Sequence, residues 1–231
     1  MILRFLKAFL LHFSFYLVIP LVGWVLGGQT PLFSALGQDL SAFFQQPARL
    51  AFAALALAAA VARGVIAARL PLPAHSVTSL SELQRWRNIS LESILVLTPF
   101  SDARGLLVWE QIAALRWLGA ALFALGMGLV LYATLVVIRH EKAMLPPPAP
   151  ALLLTSGPYR HVRYPIQLGM LVVGLGLALL FRSWIGLVML IFMLNYTLMQ
   201  IRATEKWMPQ KFGLQWAAYA KKTRRLFPGL Y

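Results

Sequence analysis

The 231-residue sequence contains no cysteine. Disulfides, thiolate metal sites and cysteine nucleophiles are thereby excluded, and no redox compartment can be argued. Charge is also scarce: 12% of residues are Asp, Glu, Lys or Arg, against about 25% in soluble domains, which excludes a water-soluble enzyme. Acids are the scarcest class, seven against 21 Lys and Arg, for a formal net charge of +14. Four histidines are left as transition-metal ligands. His75 and His140 fall in loops without metal-ligand spacing, and His12, deep in an apolar run, is expected to be a hydrogen-bonded packing residue. No metal site is expected.

What is abundant is apolar: 60% of residues are hydrophobic and the mean hydropathy is +0.72. These residues lie in blocks near the ~20 residues that cross a bilayer. The blocks run from Ala8 to Leu26, behind Arg4 and Lys7; from Leu50 to Ala68, interrupted by Arg63; and from Ile112 to Ile138, with Arg116 in its first turns. Ile166 to Phe181 and Ile185 to Ile201 follow, parted only by Arg182, Ser183 and Trp184, as a helical hairpin. Arginines near the block ends are expected to snorkel to the headgroups. The first block is too long for a secretory signal and no A-x-A site follows it. The fold expected is all-α, a polytopic transmembrane helical bundle of five spans with a C-terminal interfacial amphipathic helix.

Loop charge tests this count, because cytoplasmic loops carry the excess Lys and Arg. The link from Gly27 to Ala48 has none and the hairpin turn only Arg182, so both read as external. The N-terminus, 69–104, 139–163 and the tail after Arg202 are basic and read as cytoplasmic. Five crossings cannot satisfy all of these. Six crossings can, if the ambiguous stretch Asn88 to Gln111, with its apolar Ile94 to Leu97 but also Glu92, Asp102 and Arg104, supplies an extra or re-entrant pass. Six spans are the alternative. The charge is membrane-flanking, the positive-inside pattern and not a nucleic-acid footprint. Without repeats or compositional shifts, 1–231 reads as a single membrane domain: transmembrane helices over 1–138, then a loop, the hairpin and a cytoplasmic C-terminal helix over 139–231. Pro146, Pro147, Pro148 and Pro150 predict an extended linker. Ala- and Arg-rich usage points to a bacterial inner membrane.

Two segments carry chemistry. The first, Thr155 to Gly169, is a polar loop opening into the fourth apolar helix, with a Gly157-Pro158 turn signal and Pro165 at the helix start. Arg160, His161 and Arg163 could touch lipid phosphates, but the tyrosines and Gln167 add directional hydrogen-bonding capacity beyond that need. In the second, Asn195, Met199, Arg202 and Glu205 share a helical face. Glu205 is the only acid after Glu141, in a tail with seven Lys and Arg. A salt bridge to Arg202 is its structural reading. After Pro209 an interfacial helix is expected, with Phe212, Trp216 and Tyr219 on one face, a stripe whose ordinary use is packing.

The loop Gly157-Pro-Tyr-Arg-His-Val-Arg-Tyr-Pro-Ile-Gln-Leu-Gly169, the hairpin, Glu205, Phe212-Gly213, Trp216, Tyr219 and Arg225-Leu-Phe-Pro228 resemble the isoprenylcysteine carboxyl methyltransferase and phospholipid methyltransferase superfamily over roughly the last 85 residues. The resemblance implies an integral membrane enzyme that uses S-adenosylmethionine, with both segments folding over the cofactor. Gly157, Tyr159, Arg160, His161, Arg163, Tyr164, Gln167, Gly169 and Glu205 are then the cofactor-binding candidates, and Arg163, Arg202 and Glu205 the catalytic ones. Glu205 would take the ammonium, Arg163, His161 and the N-terminus of the fourth helix the carboxylate, and Arg202 would orient an anionic acceptor. Three positions depart from the family's pattern: Tyr164 stands for a histidine before the proline, Gln167 for a tyrosine, and Thr204 for the first of two glutamates. They bear on the methyl acceptor, a lipid-like or small hydrophobic carboxylate, amine or thiol reaching the site from the bilayer. Lys211-Phe-Gly-Leu-Gln-Trp-Ala-Ala-Tyr219 with Phe227-Pro-Gly-Leu-Tyr231 is also similar to the C-terminus of membrane sterol reductases, which makes an NADPH-dependent reductase one alternative. A non-catalytic membrane or transport protein is another.

Overall fold

The computed structural model describes residues 2–28, 36–70, 82–143 and 153–226; the proline-rich linker expected at 146–150 lies outside them. Among the described residues the chain is helical. α1 (Ile2–Phe13) passes through a π-helical turn, Ser14–Val18, into α2 (Ile19–Gly27), so that Arg4 and Lys7 lie within the first rod and not before it. Pro20 has no N–H to offer the preceding turn, and the π turn widens the ladder just upstream of it. A short α3 (Leu36–Gln45) precedes α4 (Pro47–Arg69), which opens on Pro47 while the Gln46 side chain accepts from the Arg49 N–H at 2.8 Å. α5 (Glu82–Arg104), α6 (Ala113–Ala143), α7 (Pro165–Leu180) and α8 (Trp184–Lys222) complete the bundle.

Four of these rods are long and apolar enough to cross a membrane: Ile2–Gly27, Pro47–Arg69, Ala113–His140 and Trp184–Lys222. With the shorter apolar α7 they account for the five apolar blocks. α5 is not apolar enough to count among them, and it occupies the stretch where loop charge asked for an extra or re-entrant pass. It escapes a hydropathy reading because its polar side chains face inward: Arg87, Ser90, Thr98, Ser101 and Asp102 are buried beside Leu91, Ile94 and Leu95. It packs along α2 and α8, and its Asp102 meets arginines from the start of α4, the start of α6 and the α7–α8 turn. Its last turns therefore lie level with the starts of α4 and α6, so α5 runs opposite to both.

Arg116 corrects an expectation. It does not snorkel: it is 1% exposed, and its guanidinium grips both Asp102 oxygens at 2.9 and 3.0 Å and the Leu180 carbonyl at 2.7 Å. A carboxylate across the helix interface outcompetes the headgroups. Nη1 of Arg63 is likewise buried, without a hydrogen-bond partner. Phe52 packs edge-on against Phe123 and Phe181, with ring centres 4.9 and 5.8 Å away, joining α4 to α6 and to the end of α7. α6 and α7 approach through glycines. A Cβ on Gly126 would meet the Gly169 carbonyl at 2.7 Å, and one on Gly176 the Gly119 carbonyl at 2.7 Å, so larger residues at this seam would force the helices apart. The α7–α8 turn is as tight as expected, with Arg182 at φ +53°. α7 nevertheless runs chiefly along α6, and α8 along α5. α8 also continues through Pro209; its interruption falls at Gly213, φ +51°, which L side chains rarely adopt.

Candidate active site

The loop before α7 and the chain after α8 are built against each other at the end of the bundle opposite Asp102. Gly157, at φ +59°, starts a 3₁₀ turn over Gly157–Arg160, and a Cβ there would meet Val136 Cγ2 at 2.9 Å, so the turn lies close on α6. Beyond it the backbone pairs with the tail in a short parallel bridge between Val162 and Arg224. The Arg224 N–H donates to the His161 carbonyl, the Arg163 N–H to the Arg224 carbonyl at 2.7 Å, and the Tyr164 N–H to the Arg225 carbonyl. The kink at Gly213 separates the last turns of α8 from the rest. Tyr219 there donates from its hydroxyl to the Tyr159 carbonyl at 2.7 Å, and the Arg163 guanidinium sits 5.7 Å from the Trp216 ring centre.

Glu205 stands where these strands of chain converge. Arg163 Nη1 lies 2.9 Å from Oε1, and Arg225 presents Nε and Nη2 to Oε2, both at 2.8 Å. The Glu205 side chain is 11% exposed, that of Arg163 13% and that of Arg225 34%. Glu205 is thus held by the loop and by the tail, and not by Arg202, which is exposed on α8. Three polar atoms here are buried without a hydrogen-bond partner: Arg163 Nε, Tyr164 Oη and Glu205 Oε1, whose contact with Arg163 is an ion pair off the hydrogen-bonding direction. Such atoms are costly to leave unmatched. Burial, and then the neighbouring Glu205 carboxylate, hold the Tyr164 phenol well above its ordinary pKa. Burial, and then Tyr219, push the Tyr159 phenol up to about 12. Both stay protonated at neutral pH, so Tyr164 keeps a proton to donate.

A cavity of ≈ 240 Å³ adjoins this cluster, with Arg163, Tyr164, Met208, Phe212, Trp216 and Tyr219 in its wall. It carries aromatic faces, one guanidinium and the phenols of Tyr159, Tyr164 and Tyr219, a surface suited to a flat cationic or zwitterionic ligand.

Of the residues singled out from the sequence, Tyr159, Arg163, Tyr164 and Glu205 come together here. His161 and Arg160 are exposed, with His161 contributing its carbonyl to the pairing. Gln167 lies half-buried in the first turns of α7, and Gly169 faces α6 at the glycine seam. Asn195, Met199 and Arg202 form an exposed stripe on α8. Sequence reasoning missed Arg225 as a partner of Glu205. It also read Phe212, Trp216 and Tyr219 as packing, although their spacing on one helical face, beside a glycine, was the available signal of a wall. Arg225 itself was hidden among tail cations that the positive-inside pattern already explained.

Residues 114–215 match the family model for phospholipid methyltransferase. The matched stretch runs from the start of α6 through Glu205 to the kink, stopping just short of Trp216. Neither the curated proteins nor the solved structures contain a match to the chain.

Proposed function

With residues 114–215 identified as a phospholipid methyltransferase domain, within the isoprenylcysteine carboxyl methyltransferase-like membrane superfamily, we propose that the chain is an S-adenosylmethionine-dependent methyltransferase acting on a lipid-like or small hydrophobic acceptor. The observation that supports this reading is the set at the site: two buried donors without a hydrogen-bond partner, Arg163 Nε and Tyr164 Oη, beside Glu205, whose Oε1 is held only by an ion pair to Arg163. That set complements a carboxylate adjacent to an ammonium, the amino-acid end of S-adenosylmethionine. When bound, the cofactor supplies a methyl group on a sulfonium sulfur.

The chain's own residues then position and protect. Arg163 and Tyr164 hold the carboxylate, Glu205 takes the ammonium, and Arg225, the more exposed of the two arginines, yields part of its hold on Glu205. Trp216, Phe212 and Tyr219 keep water from the reacting centre. Transfer by in-line displacement asks for orientation and dryness, and no covalent enzyme intermediate is expected. An apolar groove between α7 and α8, lined by Leu168, Leu171, Leu190 and Leu194, is a path by which the apolar part of an acceptor lies against the protein within the bilayer. The Glu205 end would then lie at the cytoplasmic face, a side supported by the basic segments that collect there.

Methyl transfer from labelled S-adenosylmethionine into total membrane lipid, by the purified full chain in vesicles, tests this reading. Label is expected in the lipid phase, and Glu205→Gln is expected to abolish it. Incorporation unaffected by Glu205→Gln would contradict the site.

A further inference from the structure

A second polar cavity lies far along the chain from Glu205, between α1 and α4. It measures ≈ 340 Å³ and is walled by Arg4, Lys7, His12 and Arg63, with Leu11 and alanines filling the rest. Among the described residues no carboxylate lines it, and none precedes Asp39 in the sequence; Asp39 itself packs at the far end of the rod, beside Gly28 and with its carbonyl on the Trp24 indole. The two helices meet closely here because α4 presents Gly64, where a Cβ would strike the Phe5 ring at 2.8 Å. That approach fixes the cations on either side of one cleft.

Arg63 is the informative member. It sits six residues before the end of α4, and its Nη1 is buried with no hydrogen-bond partner. His12 donates from Nδ1 to the Ala8 carbonyl at 3.0 Å and makes no hydrogen bond to Arg63. A buried guanidinium hydrogen without an acceptor, in a cleft with two further cations, lacks the one thing that would satisfy all three, a multivalent oxyanion. The surroundings say what else the ligand carries. Leu11 lines the cleft, and Leu3 and Leu10 of α1 and Val61 and Val65 of α4 are exposed apolar side chains on the same two helices, the surface that a helix shows to acyl chains. Arg4 and Lys7 are exposed at its outer end, while His12 and Arg63 are half-buried deeper in.

We propose that this cleft is a binding site for the phosphate headgroup of an anionic phospholipid. The phosphate oxygens lie between Arg63 and Lys7, Arg4 closes the outer side, and the acyl chains run along the apolar faces of α1 and α4. The site is separate from the methyl-transfer site, contains none of its residues and stands whether or not that reading holds. Its occupant is a structural or regulatory lipid that pins α1 against α4, the part of the molecule outside the matched family segment.

Native mass spectrometry of the full chain released from phosphatidylcholine vesicles containing phosphatidylglycerol, with phosphatidylcholine-only vesicles as the reference, tests the proposal. Retention of phosphatidylglycerol is expected, about fivefold weaker in Lys7→Gln and in Arg63→Gln, by the contribution of one cation near an anionic membrane surface. Arg63→Lys is expected to keep most of the retention. Lys7 is exposed, so its variant reads the site even if Arg63→Gln folds poorly. Equal retention by wild type and Lys7→Gln would overturn the proposal. Displacement of the lipid by inorganic phosphate alone would also overturn it, by marking a free-anion site.

Discussion

Asp102 and Glu205 stand at opposite ends of one bundle, each surrounded by arginine, yet they do different things. Asp102 takes guanidinium groups from three elements: Arg49 from α4, Arg116 from α6 and Arg182 from the α7–α8 turn, the last two with contacts of 2.8–3.0 Å. Its side chain is 1% exposed, and the turn that delivers Arg182 has a left-handed backbone there, stabilised by Arg182 Nη1 donating to the Trp109 carbonyl. Arg49 is further held over the Trp24 ring at 4.1 Å. Both carboxylate oxygens are taken, so this cluster joins helices. Glu205 has two arginines, one from the loop and one from the tail, with a third of Arg225 exposed and an aromatic cavity alongside. Its Oε1 meets Arg163 as an ion pair without a hydrogen bond, and the Tyr164 hydroxyl beside it has no hydrogen-bond partner among the described residues. A carboxylate enclosed by arginines from three elements fastens them; one held by a loop arginine and a partly exposed tail arginine beside a cavity can receive a ligand.

That contrast can be broken from either end. The largest effect is expected at the fastener. Asp102→Asn strands buried guanidinium charge and should cost roughly 3–5 kcal/mol of stability, read as a large fall in thermal inactivation temperature in detergent, while the fraction still folded binds S-adenosylmethionine as wild type does. Next comes Glu205→Gln. Losing one charge-assisted contact of about 1.5–3 kcal/mol should weaken S-adenosylmethionine binding roughly 10- to 100-fold, with a far smaller shift in inactivation temperature than at Asp102. If the two substitutions had the same stability signature, the distinction between fastener and site would fail. Arg225→Ala removes a partly exposed partner, so binding should change only severalfold, of the order of an exposed ion pair's ~1 kcal/mol or less. Arg202→Ala, on the exposed stripe of α8, should leave cofactor affinity within about twofold, as for surface positions generally. A tenfold loss there would return Arg202 to the cofactor site.

Much of the fold was legible because apolar runs near membrane length are a strong signal, and five helices fall where five runs lie. α5 was legible only as a parity problem. Hydropathy scores every polar residue as if it faced outward, whereas Thr98 turns its hydroxyl back to the Ile94 carbonyl, Ser101 to the Leu106 carbonyl, and Asp102 to its arginines. Arg116 was misjudged for the same reason: its partner is 14 residues earlier, on a helix that the pattern did not declare. At the site, Glu205 stood out because it is the lone acid among tail cations, and Arg163 because it lies in a turn-rich loop that opens a helix. Their meeting depends on the backbone pairing of 161–164 with 224–225 and on the reversal at Gly213, neither of which periodicity expresses. Gln167 and Gly169 share the loop's motif but lie along α7, where helix packing claims the glycine.

The central claim, that the unmatched set around Glu205 receives the amino-acid end of S-adenosylmethionine, is tested most directly by titration calorimetry of the full chain in detergent with S-adenosylmethionine and, separately, NADPH. The account predicts saturable binding of S-adenosylmethionine that Glu205→Gln and Arg163→Ala each weaken at least about tenfold, and no binding of NADPH. Binding of S-adenosylmethionine undiminished in both variants, or binding of NADPH in its place, would contradict it.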